Sequence, residues 1–180
     1  YKRQVSALDI VDGYTDGSFN PTNTLTRGAA AKIICNLILG PTTAAELRAD
    51  TAPFKDVPAN HTFSGYIAYC AQKGIISGYA DGSFHPERTV TVGQAVTILL
   101  RLLGYKDENV GGIWPYGYMA VGQTIGLTDG VGNDGYAALT RGQAARLFLN
   151  LLRADMREGG QYLDTLGSTC LLYTSDAADE

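Results

Sequence analysis

The 180-residue chain holds three Cys, two His and one Trp. Three cysteines make no disulfide framework, and their spacing is not that of a zinc site. His61 and His85 alone are too few for a typical zinc or triad enzyme. No apolar run reaches the roughly 20 residues of a membrane-spanning helix. Basic charge is also scarce: 14 Lys and Arg against 18 Asp and Glu leave a formal net charge of −4. That balance argues against a nucleic-acid partner, because phosphate-backbone binding needs clustered cations. No G-x-S-x-G, H-E-x-x-H or P-loop occurs, so the residues predict no catalytic site, metal or cofactor within this chain. What is abundant is hydrophobic residues, at 45%, and glycine, at 22 positions. The apolar share is too high for a disordered chain and sufficient for a real core.

Both ends carry information. The chain begins at Tyr1 without a signal peptide and reads as a fragment or mature piece. Its last eleven residues, Cys170 to Glu180, resemble a translated sequencing adapter and are expected to contribute nothing to the fold.

Internal repetition organises the rest. Gly13, Tyr14, Asp16, Gly17, Ser18, Phe19 and Pro21 recur 65 residues later as Gly78, Tyr79, Asp81, Gly82, Ser83, Phe84 and Pro86. A weaker third copy is marked by Gly126-Leu-Thr-Asp-Gly130 and by Thr140-Arg-Gly-Gln143, which matches Thr91-Val-Gly-Gln94 and Thr26-Arg-Gly-Ala29. After each Thr the apolar positions fall at helical spacing. They are Ala30, Ile33, Ile34, Leu37 and Ile38; Ala95, Ile98, Leu99, Leu102 and Leu103; and Ala144, Leu147, Phe148, Leu151 and Leu152. Thr is a good N-cap, and Gln94 and Gln143 complete capping boxes that Ala29 cannot. A second helix is expected over about Thr62–Lys73, with Phe63, Tyr66, Ile67 and Cys70 on one face. Its counterpart spans about Trp114–Ile125, with Trp114, Tyr118, Val121 and Ile125 on one face; copy one keeps only its end, around Val5 to Val11. A short helix is expected at Thr43 to Ala49. The segments are 1–40 (copy one, its C-terminal part), 41–53 (linker), 54–104 (copy two), 105–153 (copy three), 154–169 (tail, expected to pack poorly from about Arg157) and 170–180 (adapter-like). The fold class is all-α: three helix-loop-helix repeats around a central three-helix bundle, with Leu99 and Phe148 among its least exposed residues.

The pattern is similar to the S-layer homology domain. The family motif begins F-x-D-V, continues through a Trp-led helix and G-I-I-x-G-Y-x-D-G-[ST]-F-x-P, and opens the next helix with T-R-A-E. Copy two supplies Phe54-Lys-Asp-Val57, Gly74 to Pro86 and Thr91-Val-Gly-Gln94; copy three supplies Trp114 at the Trp position. The resemblance covers about residues 3 to 153 and implies three repeats in a pseudo-threefold, monomeric module. It further implies a noncatalytic, extracellular anchor that binds secondary cell wall polysaccharide, often pyruvylated, with a catalytic or S-layer domain fused outside this fragment. The alternatives are a helical-repeat protein-interaction module or the anchoring fragment of a secreted hydrolase.

By that resemblance the candidate ligand residues are Arg27, Arg141, Asp16, Gly17, Asp81, Gly82 and Trp114. A guanidinium suits a carboxylate, and the amides of a helix N-terminus would favour the same anion. Val92 stands where copy two should carry its Arg, so that groove is expected to lack a carboxylate anchor. Asp16 and Asp81 serve either sugar hydroxyls or their own turns. Tyr14, Tyr79 and Trp114 line a sugar groove or pack the core, and Phe19 and Phe84 are core pegs. An EF-hand reading fails, because Tyr14 and Asn23 occupy ligand positions counted from Asp12. Cys35 and Cys70 read as small buried hydrophobes, with a disulfide between them as the lesser alternative.

Overall fold

A computed structural model describes residues 16–166. Gly13, Tyr14, the Val5 to Val11 helix end and the adapter-like Cys170–Glu180 lie outside the described residues. Within them the chain forms seven α-helices and one 3-10 turn, with isolated antiparallel bridges and no extended strand. The helices are α1 (Arg27–Leu39), α2 (Pro41–Ala45), α3 (Ser64–Gln72), α4 (Val92–Leu102), α5 (Asp107–Val110), α6 (Tyr116–Thr124) and α7 (Arg141–Arg153); the 3-10 turn is Tyr162–Thr165. The all-α class is as the periodicity predicts.

The chain divides into two compact units. The first, residues 25–89, packs α2 and α3 against α1. The second combines 16–24 with 90–166 and packs α4 on α6, α4 on α7, and the 3-10 turn on α7. Two of the three helices expected at the centre, α4 and α7, therefore touch within one unit, while α1 belongs to the other.

The three long helices start where the sequence places them. Thr26, Thr91 and Thr140 are extended N-caps whose hydroxyls accept from Ala29, Gln94 and Gln143, and both expected capping boxes close. Leu99 and Phe148 are buried, as is the whole copy-three stripe. Burial is wider than the stripes, however. Ala31 and Cys35, Val96 and Leu100, and Ala145 and Leu149 are buried as well, while Ala30, Ala95, Ile98 and Ile38 stay half-buried. Each long helix thus covers a second face, which in the first two copies is packed by α3 or α6.

Other expectations shift. α3 and α6 begin two residues later than the periodicity suggests, after Phe63 and Pro115. Of their expected faces only Ile67, Cys70 and Tyr118 are buried, and Trp114 remains 42% exposed. The linker helix forms over Pro41–Ala45 instead of Thr43–Ala49. Gly40, at φ 76°, ends α1, and Pro41 supplies a preset N1 residue immediately after it.

The tail expectation fails up to Leu166. Gly159 and Gly160, at φ 96° and 82°, turn the chain so that Asp155 pairs with Gln161. Tyr162 and Leu166 are then buried, and Arg157 N–H donates to Leu103 O at 2.9 Å. The physical reason is that the apolar residues Ala154, Tyr162 and Leu166 continue the α7 core after the repeat pattern stops.

Candidate functional site: the helix ends and the loops that close them

Each long helix receives its closing loop from another repeat. At α1 the copy-two loop accepts Arg27 N–H on Arg88 O (2.9 Å) and Gly28 N–H on Pro86 O (2.8 Å). At α4 the copy-three loop accepts Val92 N–H on Ala137 O (2.9 Å) and Gly93 N–H on Gly135 O (2.8 Å). At α7 the copy-one loop accepts Arg141 N–H on Asn23 O and Gly142 N–H on Pro21 O, both at 2.8 Å. With the third amide on each Thr hydroxyl, the first-turn donors that would attract an anion are engaged. The expectation of free helix amides is thereby corrected.

The residue after the motif Arg or Val is Gly in all three copies, a signal the sequence carries openly. A Cβ on Gly28 would lie 2.4 Å from the Phe63 ring, and one on Gly93 would lie 2.8 Å from Gly135 O and 2.7 Å from Pro115 Cβ. Gly93→Ala should therefore destabilise. Alanine's helix propensity gains about 1 kcal/mol, but a main-chain oxygen cannot rotate away and overpacking costs up to about 3 kcal/mol, so a net loss of up to about 2 kcal/mol is expected in urea unfolding.

The two arginines reach the loops in the same way. Arg27 Nε donates to Phe84 O at 2.8 Å, and Arg141 Nε donates to Phe19 O at 2.9 Å. Arg27 also gives an Nη2 hydrogen to Ser77 O (3.1 Å), and its guanidinium carbon lies 4.4 Å from the Phe84 ring centre and 5.0 Å from that of Tyr79. It is only 9% exposed. Arg141 lies over Phe19 at 5.1 Å and is half-buried. Val92, at 1% exposure, packs where an Arg would otherwise reach a loop carbonyl.

Asp16 and Asp81 both build turns. Asp16 Oδ1 accepts Ser18 N–H at 2.8 Å; Asp81 Oδ1 accepts Ser83 N–H at 3.0 Å and the Ser83 hydroxyl at 2.5 Å, while its Oδ2 meets Lys55 Nζ at 3.0 Å. Ser83, above all through its hydroxyl, and then Lys55 hold the Asp81 carboxyl well below the usual carboxylate range; bonds from Ser18 shift Asp16 in the same direction. Gly17 and Gly82 sit at φ 78° and 82°, a conformation glycine adopts without strain. Asn20 and His85 occupy matching left-handed positions at φ 46° and 56°.

Asp56, from the F-x-D-V segment, is a positioning residue that the motif by itself does not single out. Its two carboxylate oxygens accept Phe84 N–H and His85 N–H, each at 2.7 Å, while Phe54 stacks on Phe84 with ring centres 5.3 Å apart. Partial burial raises the Asp56 pKa, but the two amides and the His85 imidazole outweigh it, so the net shift is downward. A folded-state pKa below the unfolded value of about 3.9 stabilises the fold above that pH, and this contribution is lost as pH falls through the folded value. Asp56→Asn should lower stability by about 1–3 kcal/mol at pH 7. The gap to the parent chain should narrow below about pH 4; urea midpoints at pH 7, 5 and 3.5 check both.

Asp56, His61, His85, Pro86, Glu87 and Arg88 line an open cleft of about 420 Å³ in the first unit. Ser83 Oγ, His85 Nε2 and Asp56 form a chain of contacts at 3.0 and 3.4 Å that superficially resembles a triad. Ser83 is 1% exposed and its hydroxyl donates to Asp81, so His85 is not its base. Among the described residues no group of three or more His, Cys, Asp or Glu is placed to hold a metal ion, and no helix is long and apolar enough to cross a membrane.

Trp114 stands beside the α4 end. Its Nε1 donates to Thr97 Oγ1 at 3.1 Å, and its ring meets Tyr136 edge-on at 6.0 Å; Tyr116 meets Tyr136 at 6.1 Å. Together with Ile113 these rings are exposed. Phe84 is a core peg, whereas Phe19 is half-buried and Tyr79 lies under Arg27.

In the first unit the motif Arg, the turn Asp and the F-x-D-V Asp all hold one loop: Arg27 bonds Phe84 O, Asp56 accepts Phe84 N–H, and Asp81 accepts Ser83 N–H. The S-layer homology domain family model matches residues 4–31 and 53–96, and the chain carries S-layer homology repeats over those segments. It is 33% identical over 174 residues to a cell surface protein of Thermoanaerobacter kivui, covering 96% of this chain and 22% of that protein. It is 30% identical over 156 residues to a middle cell wall protein of Brevibacillus brevis, covering 87% of this chain and 14% of that protein. A cellulosome-anchoring protein of Acetivibrio thermocellus is 32% identical over 94 residues, 52% of this chain and 21% of its own length. The chain thus spans at most about a fifth of the curated relatives named.

Proposed function

We propose that this chain is a noncatalytic, cell-surface module that anchors a larger protein to the cell wall by binding wall polysaccharide. The observation that carries this reading is the family match over the first two loops and the starts of α1 and α4, together with relatives named for the cell surface, the cell wall and anchoring. The third copy, which the family match does not reach, repeats the same Thr cap, Gln box and loop bonds and is read as the same module.

The ligand is an acidic glycan, with pyruvylated sugars as the chemical type. Arg141 is the stronger of the two candidate arginines for its carboxylate, because Arg27 is nine-tenths buried whereas Arg141 is half-buried. Trp114 offers an aromatic face to sugar C–H groups beside the α4 end. Gly17 and Gly82 bring main chain close to the surface; Asp16 and Asp81 act first as turn builders and secondarily as acceptors for sugar hydroxyls.

Cosedimentation with purified cell wall tests the anchor. The expected result is retention on intact wall and loss after the polysaccharide is extracted. Equal retention on extracted wall would instead favour a protein or peptidoglycan partner.

A further inference from the structure

α1 and α3 meet at two cysteines. Cys35 Sγ and Cys70 Sγ lie 3.5 Å apart, and both residues are fully buried. Each sulfur also faces the main chain of the opposite helix: Cys35 Sγ is 3.6 Å from Tyr66 O, and Cys70 Sγ is 3.8 Å from Ala31 O. Tyr66 and Ala31 each precede the cysteine of their own helix by four residues, so the contact is reciprocal. Both thiols are free in the structure. In the sister pair α4 and α6, the repeat register puts Leu100 and Gly122 at these two positions. The packing therefore does not demand sulfur there; the facing thiols are peculiar to this helix pair.

We propose that Cys35 and Cys70 form a disulfide that staples α1 to α3 once the chain is outside the cell. The compartment rests on the surface location proposed above; the pairing rests on geometry alone. A disulfide needs the sulfurs at about 2.05 Å, so they must close by about 1.5 Å, which side-chain rotation can supply between helices already in contact. The oxidant is a small-molecule disulfide such as oxidised glutathione. One cysteine thiolate attacks it, releasing one glutathione thiolate and leaving a mixed disulfide. The second cysteine thiolate attacks that bond and releases the second glutathione, so two electrons pass to the oxidant and two protons leave the protein.

Hydrogen bonding to Cys70 and burial push the Cys35 thiol up, so the exchange proceeds while the helices are open, during folding or transient unfolding. Once closed, the bond encloses the segment between residues 35 and 70, which contains α2 and the Phe54–Val57 segment that holds the copy-two loop.

The test uses the full chain carrying Cys170→Ser, which leaves only the pair in question. The protein is refolded across glutathione ratios from fully reduced to fully oxidised, quenched under denaturing conditions with iodoacetamide, and mapped by mass spectrometry without reduction. The expected result is one linked peptide pair carrying Cys35 and Cys70, two hydrogen masses lighter than the sum of its parts. Oxidation should also raise Tm by about 5–10 °C. Recovery of both residues as alkylated thiols, or as separate glutathione adducts, at every ratio would overturn the proposal. Cys35→Ala/Cys70→Ala should show a Tm independent of redox state; should that variant not fold, the peptide map decides alone. Linkage without wall binding would keep the staple and remove the anchor reading, and wall binding without linkage would do the opposite.

Discussion

Phe84→Ala is expected to cost about 3–5 kcal/mol in reversible urea unfolding, the range for truncating a fully buried aromatic residue. The ring is 1% exposed, stacks on Phe54 and lies under the Arg27 guanidinium. Its main chain is held from both sides, with Asp56 accepting its N–H and Arg27 donating to its carbonyl. Removing the ring therefore leaves a cavity beneath a buried cation and loosens the loop that closes α1. Phe19→Ala, in the half-buried counterpart loop, should cost less than half as much. Equal and small losses for both would mean that Phe84 is not the peg of its loop.

Arg141→Ala is expected to weaken binding of an acidic wall glycan by roughly ten- to a hundred-fold. Losing a charge-assisted contact costs about 1.5–3 kcal/mol, and 1.4 kcal/mol corresponds to one decade. Arg27→Ala should behave differently, because its donors hold Phe84 O and Ser77 O from a buried position. There the expected loss is chiefly in stability, about 1–3 kcal/mol. Titration calorimetry and urea unfolding on both variants separate the two roles. A stability loss at Arg141 with unchanged affinity would assign that residue to loop closure as well.

The helix starts were legible because capping is local: a Thr, its following amides and a Gln at the fourth position lie within one turn. Turn-building by Asp16 and Asp81 was legible for the same reason, since each bonds two residues ahead. The exchange of loops was not. Arg27 meets Phe84 across 57 residues and Arg141 meets Phe19 across 122, and each repeat by itself looks self-contained. Because the loops arrive from other repeats, the helix ends that looked open to an anion are closed by carbonyls. The Gly after each motif Arg or Val is a local sign of a close approach, but nothing local says what approaches: the Phe63 ring at Gly28, and main chain at Gly93 and Gly142. The segment after Arg153 has no periodicity to follow, yet a Gly-Gly turn brings Tyr162 and Leu166 back to the core.

The anchoring role is tested most directly by titrating the chain with acidic wall-polysaccharide fragments before and after removal of their pyruvate groups. Saturable binding of the pyruvylated fragment is expected, with affinity at least tenfold lower once the carboxylate is gone. Absence of binding to either fragment would contradict the anchor, and equal affinity for both would contradict recognition of the carboxylate.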